Sequence, residues 1–277
     1  ALIGNPNALG EVVKNVVWEQ FQNLIGVKAG EDFIETNRGN TLDLSNSAHI
    51  QTTENFEKGI IAIHNDKIDY KKRYDEWNDN FQKDVNGNIV THSTRTGTNE
   101  ASLKKDARTP FDKGRPAGSI QNRTDMDHTI SAGEIIRDPE ANAHLSKQEQ
   151  IEFANSPTNL NEIESDLNRS KGDLNTDDWL DNPNAKGQKP SEIFDISDDK
   201  DKQLRYKNKK AREEYKKRKE EGKQKSIETG RQSQKEEAFR IGKSTTKAVL
   251  LQLLAELIKE IFSKLAKWLK SKDKKLK

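Results

Sequence analysis

Large apolar side chains are confined to a few short amphipathic stretches, and long polar tracts separate them. Apolar residues make up 31% of the 277 residues and charged residues 34%, with a mean hydropathy of −1.04. A chain of this polarity cannot bury enough apolar surface to fold along its whole length. We therefore expect one or two small folded units joined by solvated segments.

Three stretches have the spacing of an amphipathic helix: Ala8–Ile25, Ile60–Phe81 and residues 244–270. In the second, four aromatic residues share one face, which favours a packing surface over a platform for stacking bases. The third has a broad apolar face with lysines between, and Ser244 or Thr245 is its predicted N-cap. The four aromatic residues are Tyr70, Tyr74, Trp77 and Phe81.

The remaining tracts have the composition of turns and linkers. Asn86-Gly87-Asn88 predicts a turn, and residues 91–110 and 182–200 predict linkers. Residues 201–237 are dominated by Lys, Arg, Glu and Gln, which indicates a solvated helix with little to hold it against a core.

Charge is distributed unevenly along the chain. Residues 1–200 hold 23 Lys and Arg against 35 Asp and Glu, a net charge of −12, whereas residues 201–277 hold 25 against 11, a net charge of +14. A basic tail on an acidic body favours attraction to a polyanion, either nucleic acid or a membrane surface. The alternative interpretation is an ordinary solvated charged helix.

Several classes of protein are excluded by what the sequence lacks. No cysteine is present, which excludes disulfides and Cys-bound zinc. The N-terminal residues do not have the pattern of a signal peptide, and no apolar run approaches the roughly 18–20 residues of a membrane span. These features predict a cytoplasmic protein.

The residues that carry chemistry lie between positions 123 and 173. Asp127 and His128 are adjacent, so on a strand they point to opposite faces, and both can approach one cleft where the strand ends or bulges. A carboxylate and the amide oxygen of Asn168 are hard ligands suited to Mg²⁺ or Mn²⁺, and neutral histidine is a natural base. Phosphodiester hydrolysis needs these parts, because a base must activate water and a cation must offset the charge that develops on the phosphate.

These segments resemble the HNH, or ββα-metal, nuclease motif, and in particular the HNH domain of RNA-guided CRISPR nucleases. The family's first strand has the pattern Asp-x-Asp-His-Ile-x-Pro, and this chain has Asp125-Met126-Asp127-His128-Thr129-Ile130-Ser131. An Asn-Leu pair opens the family's second strand, and an Asn-x-x-Lys follows at the helix. The counterparts here are Asn159-Leu160 and Asn168-Arg169-Ser170-Lys171. The resemblance covers residues 123–173, under a fifth of the chain.

The chain departs from the family's pattern in two places. Thr129-Ile130-Ser131 replaces Ile-x-Pro, which changes the end of the first strand. The 30 residues between His128 and Asn159 exceed the separation in compact members, and Ser146–Ala154 within them predicts a small inserted helix capped by Ser146.

The resemblance implies a role for each matched residue. Asp127 and Asn168 would hold one divalent cation, Mg²⁺ or Mn²⁺, and His128 would be the general base. Asn159 would brace the loop behind the base by holding the His128 backbone or ring, and Lys171 would approach the scissile phosphate. Three basic residues are expected to position a nucleic-acid backbone without reading its sequence: Arg115, Arg123 and Arg169.

The predicted fold is mainly α with a small ββα-metal nuclease unit and large polar, partly disordered segments. We expect an N-terminal helical region and linker over residues 1–110 and the HNH-like unit over 111–181. A charged linker or solvated helix would follow over 182–243, and an amphipathic basic helix over 244–277.

Three functional hypotheses follow. The leading one is a metal-dependent endonuclease that hydrolyses phosphodiester bonds of nucleic acid, with DNA favoured as the substrate. The first alternative is a nuclease effector or toxin of a phage or mobile element. The second is a non-catalytic binding or structural protein that retains an inactive ββα unit. In each case the apolar face of residues 244–270 would contact a protein partner or a membrane surface.

Overall fold

The computed structural model describes residues 49–273 of the chain. This part is mainly helical, with ten α-helices and four short strands. The chain divides into two compact units. The first is Asn46–Ser233 and carries all four strands, and the second includes residues 234–273. The helix predicted at Ala8–Ile25 lies outside the described residues.

The strands of the first unit form two separate antiparallel pairs, β1 with β2 and β3 with β4. In chain order the elements are α1 (Thr53–Glu57), α2 (Tyr70–Asn78), β1 (Thr91–Ser93), β2 (Asn99–Ala101), α3 (Thr109–Asp112), β3 (Thr124–His128), α4 (Ala132–Arg137), α5 (Pro139–His144), α6 (Lys147–Ala154), β4 (Leu160–Glu164), α7 (Ser165–Lys171), α8 (Thr176–Asp181), α9 (Pro190–Phe194) and α10 (Asp198–Asp273).

Helix α2 carries the predicted aromatic face. Tyr70, Trp77 and Phe81 are buried, and Tyr74 packs against the cluster that Trp77 and Phe81 form with Phe56. The aromatic residues are therefore part of the core, which confirms the prediction of a packing surface.

The same helix is shorter than predicted at both ends, because it begins at Tyr70 rather than at Ile60 and ends at Asn78, before Phe81, which bridges to Leu103 instead. The side-chain oxygen of Asn65 accepts hydrogen bonds from the backbone N–H groups two and three residues further on, which holds that segment in a turn. The carboxylate of Asp69 then accepts from the N–H of Lys72 and caps the helix.

The segment predicted as a linker over residues 91–110 is ordered. Strands β1 and β2 pair with Thr91 opposite Ala101, and the predicted turn at 86–88 lies just before them, where Lys83 bridges to Ile89. The linker prediction is therefore wrong for residues 91–101. The reason is that these strands are largely exposed on both faces, so the sequence lacks the apolar alternation of a half-buried strand.

The segment between β3 and β4 folds as three short helices and supplies much of the core. Helix α6 confirms the small helix predicted over Ser146–Ala154: Ser146 is its N-cap, and the Glu149 carboxylate accepts from the Ser146 backbone N–H at 2.7 Å. The cluster formed here has five fully buried large side chains: Phe111, Ile130, Ile135, Ile136 and Phe153.

Helix α10 packs against this core along its first part, up to Ser233. Leu204, Asn208, Ala211 and Tyr215 are buried, and the Tyr215 ring stacks on Phe153 with a centroid separation of 4.7 Å. The expectation that residues 201–237 have little to hold them against a core is therefore wrong for 201–233, and so is the charged-linker interpretation of that stretch. The buried face is built partly from Asn, Ala, Gly and Ser, so apolar periodicity does not reveal it.

Residues 234–273 are helical throughout. The predicted N-cap at Ser244 or Thr245 is absent because α10 runs through both residues without ending. Seven large apolar side chains of this segment are between 48% and 76% exposed: Phe239, Leu250, Leu254, Leu257, Ile261, Phe262 and Leu265. None of the described helices combines the length and apolarity needed to cross a bilayer.

Candidate active site

The site is built on β3, β4 and the helix that follows β4 without a loop. Strand β3 pairs antiparallel with β4, with Asp127 opposite Asn161 and His128 opposite Leu160. Helix α7 begins directly after β4 and packs on both strands. Because side chains alternate along a strand, Asp125 and Asp127 point to one face of β3 and His128 to the other.

Helix α7 covers the face of β3 that carries the two aspartates. The Asn168 amide nitrogen lies 3.3 Å from a carboxylate oxygen of Asp125, and the Lys171 ammonium lies 2.9 Å from Asp127. Residues three apart share one face of a helix, and residues two apart share one face of a strand. The two elements therefore meet as two matched pairs, Asn168 with Asp125 and Lys171 with Asp127, whereas the sequence predicted Asn168 and Asp127 as the two ligands of one cation.

Lys171 is enclosed in the protein. Its side chain is 2% exposed and that of Asp127 is 7% exposed. The ammonium also donates to the backbone carbonyl oxygen of His128 at 3.1 Å. Its donors are thus directed at Asp127 and at the end of β3, whereas the resemblance assigned it to the scissile phosphate.

His128 lies on the opposite face of β3, against the end of α6. Its Nε2 atom lies 3.1 Å from the side-chain oxygen of Asn155. Burial lowers the pKa of His128 below its ordinary value; the Asn155 contact raises it, and the nearby charge of Arg115 lowers it. The lowered pKa favours the neutral form of the ring, which is the form able to accept a proton.

Asn159 braces the turn that follows His128. It is fully buried, and its amide accepts from the N–H of Ile130 at 2.8 Å and donates to the Ile130 carbonyl oxygen at 3.1 Å. The Asn159 backbone carbonyl accepts from the N–H of Thr129. These bonds hold the two residues after His128, rather than the His128 backbone or ring that the sequence led us to expect.

The three predicted phosphate-positioning arginines lie around this framework. Arg115 forms an ion pair with Asp112 at 3.2 Å and is close enough to His128 to influence its pKa. Arg123 is exposed at the start of β3, where its carbonyl oxygen accepts from the Ser165 N–H, and Arg169 is exposed on α7 beside Asn168.

Two contacts of the site were not predicted from the sequence. The sequence gives only a weak indication that Asn155 contacts His128, namely that Asn155 follows the predicted inserted helix. The sequence indicates the contact between Asp125 and Asn168 more clearly, because Asp125 belongs to the Asp-x-Asp pattern and shares a strand face with Asp127.

The donor atoms fit a hard divalent cation in their chemistry. Among the described residues no group of three or more His, Cys, Asp or Glu side chains is arranged to hold a metal. The oxygen atoms available here are instead those of two carboxylates, Asp125 and Asp127, and of the Asn168 amide, whose nitrogen donates to Asp125. The carboxylates of Asp125 and Asp127 carry two negative charges, and the Lys171 ammonium carries one positive charge. The net charge of these three groups is therefore negative, which suits a cation.

Comparison with protein families, with curated proteins and with solved structures finds no match to this chain.

Proposed function

We propose that the chain is a metal-dependent endonuclease of the HNH type that hydrolyses phosphodiester bonds of nucleic acid, with DNA as the favoured substrate. The observation that carries the proposal is the arrangement of β3, β4 and α7. It brings two carboxylates of β3 together with Asn168 and Lys171 of α7 on one face of the strand, and it places a buried histidine on the other face at the adjacent position.

In the proposed reaction each residue has a separate task. Asp125, Asp127 and Asn168 would hold Mg²⁺ or Mn²⁺, which offsets the charge that develops on the phosphate and the leaving oxygen. His128 would take the proton from the attacking water, because burial lowers its pKa and so favours the neutral ring. Asn159 would keep the turn after His128 in place. Arg115, Arg123 and Arg169 would contact phosphates along the strand.

The proposal is tested by cleavage of supercoiled plasmid and of single-stranded DNA and RNA by the full chain, with Mg²⁺, Mn²⁺ or EDTA. We expect cleavage that EDTA abolishes. His128→Ala should lower the rate by about 10²–10⁴-fold, the usual cost of removing a general base. The matched control is His92→Ala, since His92 is an exposed residue of β1. Undiminished cleavage by the His128 variant would assign the activity elsewhere.

A non-catalytic role is the second candidate, and one observation favours it. The Asp127 carboxylate already has an ammonium partner. Backbone and side chain taken together, Asp127 is only 5% exposed and His128 only 4%. An ion pair of this kind satisfies the carboxylate without a metal. Mn²⁺ separates the two candidates, because a bound paramagnetic ion broadens the NMR signals of residues near Asp127. An absence of such broadening at millimolar Mn²⁺ favours the non-catalytic role.

A further inference from the structure

The His128 ring makes one hydrogen bond to the described part of the chain, and its partner lies outside the matched motif. That partner is Asn155, whose Oδ1 atom lies 3.1 Å from Nε2 of the ring. Asn155 is the residue directly after the end of α6, and it is half-buried. Since α6 belongs to the long segment between β3 and β4, this contact is a feature of this chain's own insertion.

A second contact fixes which end of the Asn155 amide faces the histidine. The amide nitrogen donates to the backbone carbonyl oxygen of Phe111 at 3.0 Å. A carbonyl oxygen only accepts hydrogen bonds, so the NH₂ group must face Phe111 and the amide oxygen must face His128. Gly114 makes room for this placement, because a β-carbon there would lie 3.2 Å from the amide nitrogen.

The orientation of the amide determines the state of the ring. An amide oxygen also only accepts, so Nε2 of His128 must carry the proton that it donates. A neutral imidazole holds one proton, which leaves the lone pair on Nδ1. In the described part of the chain Nδ1 makes no hydrogen bond of its own.

We infer that Asn155 fixes His128 in the Nε2–H tautomer and so leaves the lone pair of the neutral ring on Nδ1. Asn155 is then a positioning residue, because it acts through His128. The catalytic use of Nδ1 rests on the proposed nuclease function, whereas the tautomer itself does not.

The tautomer is measured directly by long-range ¹H–¹⁵N NMR of the full, ¹⁵N-labelled chain at a pH where the ring is neutral. His128→Gln identifies the signals that belong to His128 among the five histidines. We expect a protonated-type shift at Nε2 and an unprotonated-type shift at Nδ1. The opposite pattern in the wild-type protein would overturn the inference without any variant.

Asn155 variants then test the cause. Asn155→Ala should give a mixture of tautomers, and Asn155→Asp should retain the Nε2–H form because a carboxylate also accepts from Nε2. The matched control is Asn80→Ala: Asn80 follows α2, and its amide donates to the carbonyl oxygens of Glu76 and Trp77. That variant loses backbone hydrogen bonds of a similar kind without a contact to His128, and it should leave the tautomer unchanged.

Cleavage by the same variants separates the two proposals. Loss of an orienting contact commonly costs about 10–100-fold in activity, so Asn155→Ala should lower the maximal rate by that factor and leave substrate affinity unchanged. An unchanged tautomer in a folded Asn155→Ala protein overturns the inference. An Asn155-dependent tautomer in a wild-type protein that cleaves nothing supports the inference and overturns the nuclease function alone.

Discussion

The ammonium of Lys171 and the carboxylate of Asp127 lie 2.9 Å apart in a place where both side chains are almost fully enclosed. Removing two charges from water is costly, and their attraction offsets the cost only while both are present. The pair therefore fixes α7 against β3, and it offsets the charge of one of the two carboxylates that would hold the proposed cation.

Lys171→Met should lower the free energy of unfolding by about 3–5 kcal/mol, because it leaves the Asp127 carboxylate buried without its partner. Urea denaturation measures the loss, and the double variant Asp127→Asn, Lys171→Met should recover most of it. Lys202→Met, at an exposed lysine, is the control. If the site binds Mg²⁺, the ion should raise the stability of the single variant more than that of the wild type.

His144 predicts a pH dependence of stability that is independent of the candidate site. Burial lowers the pKa of His144 to about 4 in the folded protein, against 6.5 for an exposed histidine. Its Nε2 atom contacts the Thr53 hydroxyl at 3.2 Å, and its Nδ1 atom is buried without a hydrogen bond in the described part of the chain. The unfolded chain therefore binds a proton more readily than the folded one between these two pH values.

The shifted pKa of His144 does not reduce the free energy of unfolding above pH 6.5. As the pH is lowered from 6.5 toward 4, it lowers the free energy of unfolding by about 3 kcal/mol in total. Urea denaturation at a series of pH values should show a shallower decline for His144→Gln than for the wild type. His92→Gln serves as the exposed control. Equal slopes for His144→Gln and the wild type would contradict this assignment.

At the scale of elements, the close approach of α10 to the rest of the first unit depends on small side chains. A β-carbon on Gly222 would lie 2.7 Å from a methyl carbon of Leu145 and 2.8 Å from the backbone carbonyl oxygen of His144. The carbonyl cannot swing away as a flexible side chain could. The helix therefore lies closer to α5 than any other residue at position 222 would allow.

Gly222→Ala should destabilise the protein by about 1–2 kcal/mol, although the same change normally stabilises a helix interior by about 1 kcal/mol. The clash with a packed backbone outweighs the gain in helix propensity, since overpacking costs about 1–3 kcal/mol. Thermal or urea unfolding gives the sign directly. Gln224→Ala, on the exposed face of the same turn, should change stability by less than about 0.5 kcal/mol.

At the scale of the whole molecule, the uneven charge along the sequence is partly balanced within the first unit. Basic side chains of α10 pair with acidic side chains of the elements beneath it. The pairs are Lys200–Glu164, Arg205–Asp181, Arg212–Glu134 and Lys219–Asp138. Part of the positive charge that suggested a polyanion partner is thus used to hold α10 in place.

Raising the NaCl concentration from about 0.1 M to about 1 M should lower the free energy of unfolding by about 1 kcal/mol, because it screens these partly exposed pairs. The double variant Arg212→Gln, Lys219→Gln should start from a lower stability and respond less to salt. Urea titrations at the two salt concentrations measure both effects. An identical response of variant and wild type would show that the pairs contribute nothing measurable.

The sequence predicted best what local patterns determine. Four-and-three spacing identified the aromatic face of α2, and a Ser followed three residues later by Glu located α6. The sequence did not reveal the buried face of α10, because that face is built partly from small or polar residues such as Gly222. It also did not reveal β1 and β2, because these exposed strands lack apolar alternation. Contacts between distant segments, such as Asn155 with His128, leave no local pattern at all.

The segment between β3 and β4 also has a consequence for how quickly the protein reaches its native state. The two strands can pair only after the 30 residues between His128 and Asn159 close into a loop, and long-range pairing of this kind slows folding. We expect folding of α4, α5 and α6 to shorten that search, because their packing brings the strand ends together. Substitutions in their core should therefore slow refolding of the strand pair, and not merely accelerate its unfolding.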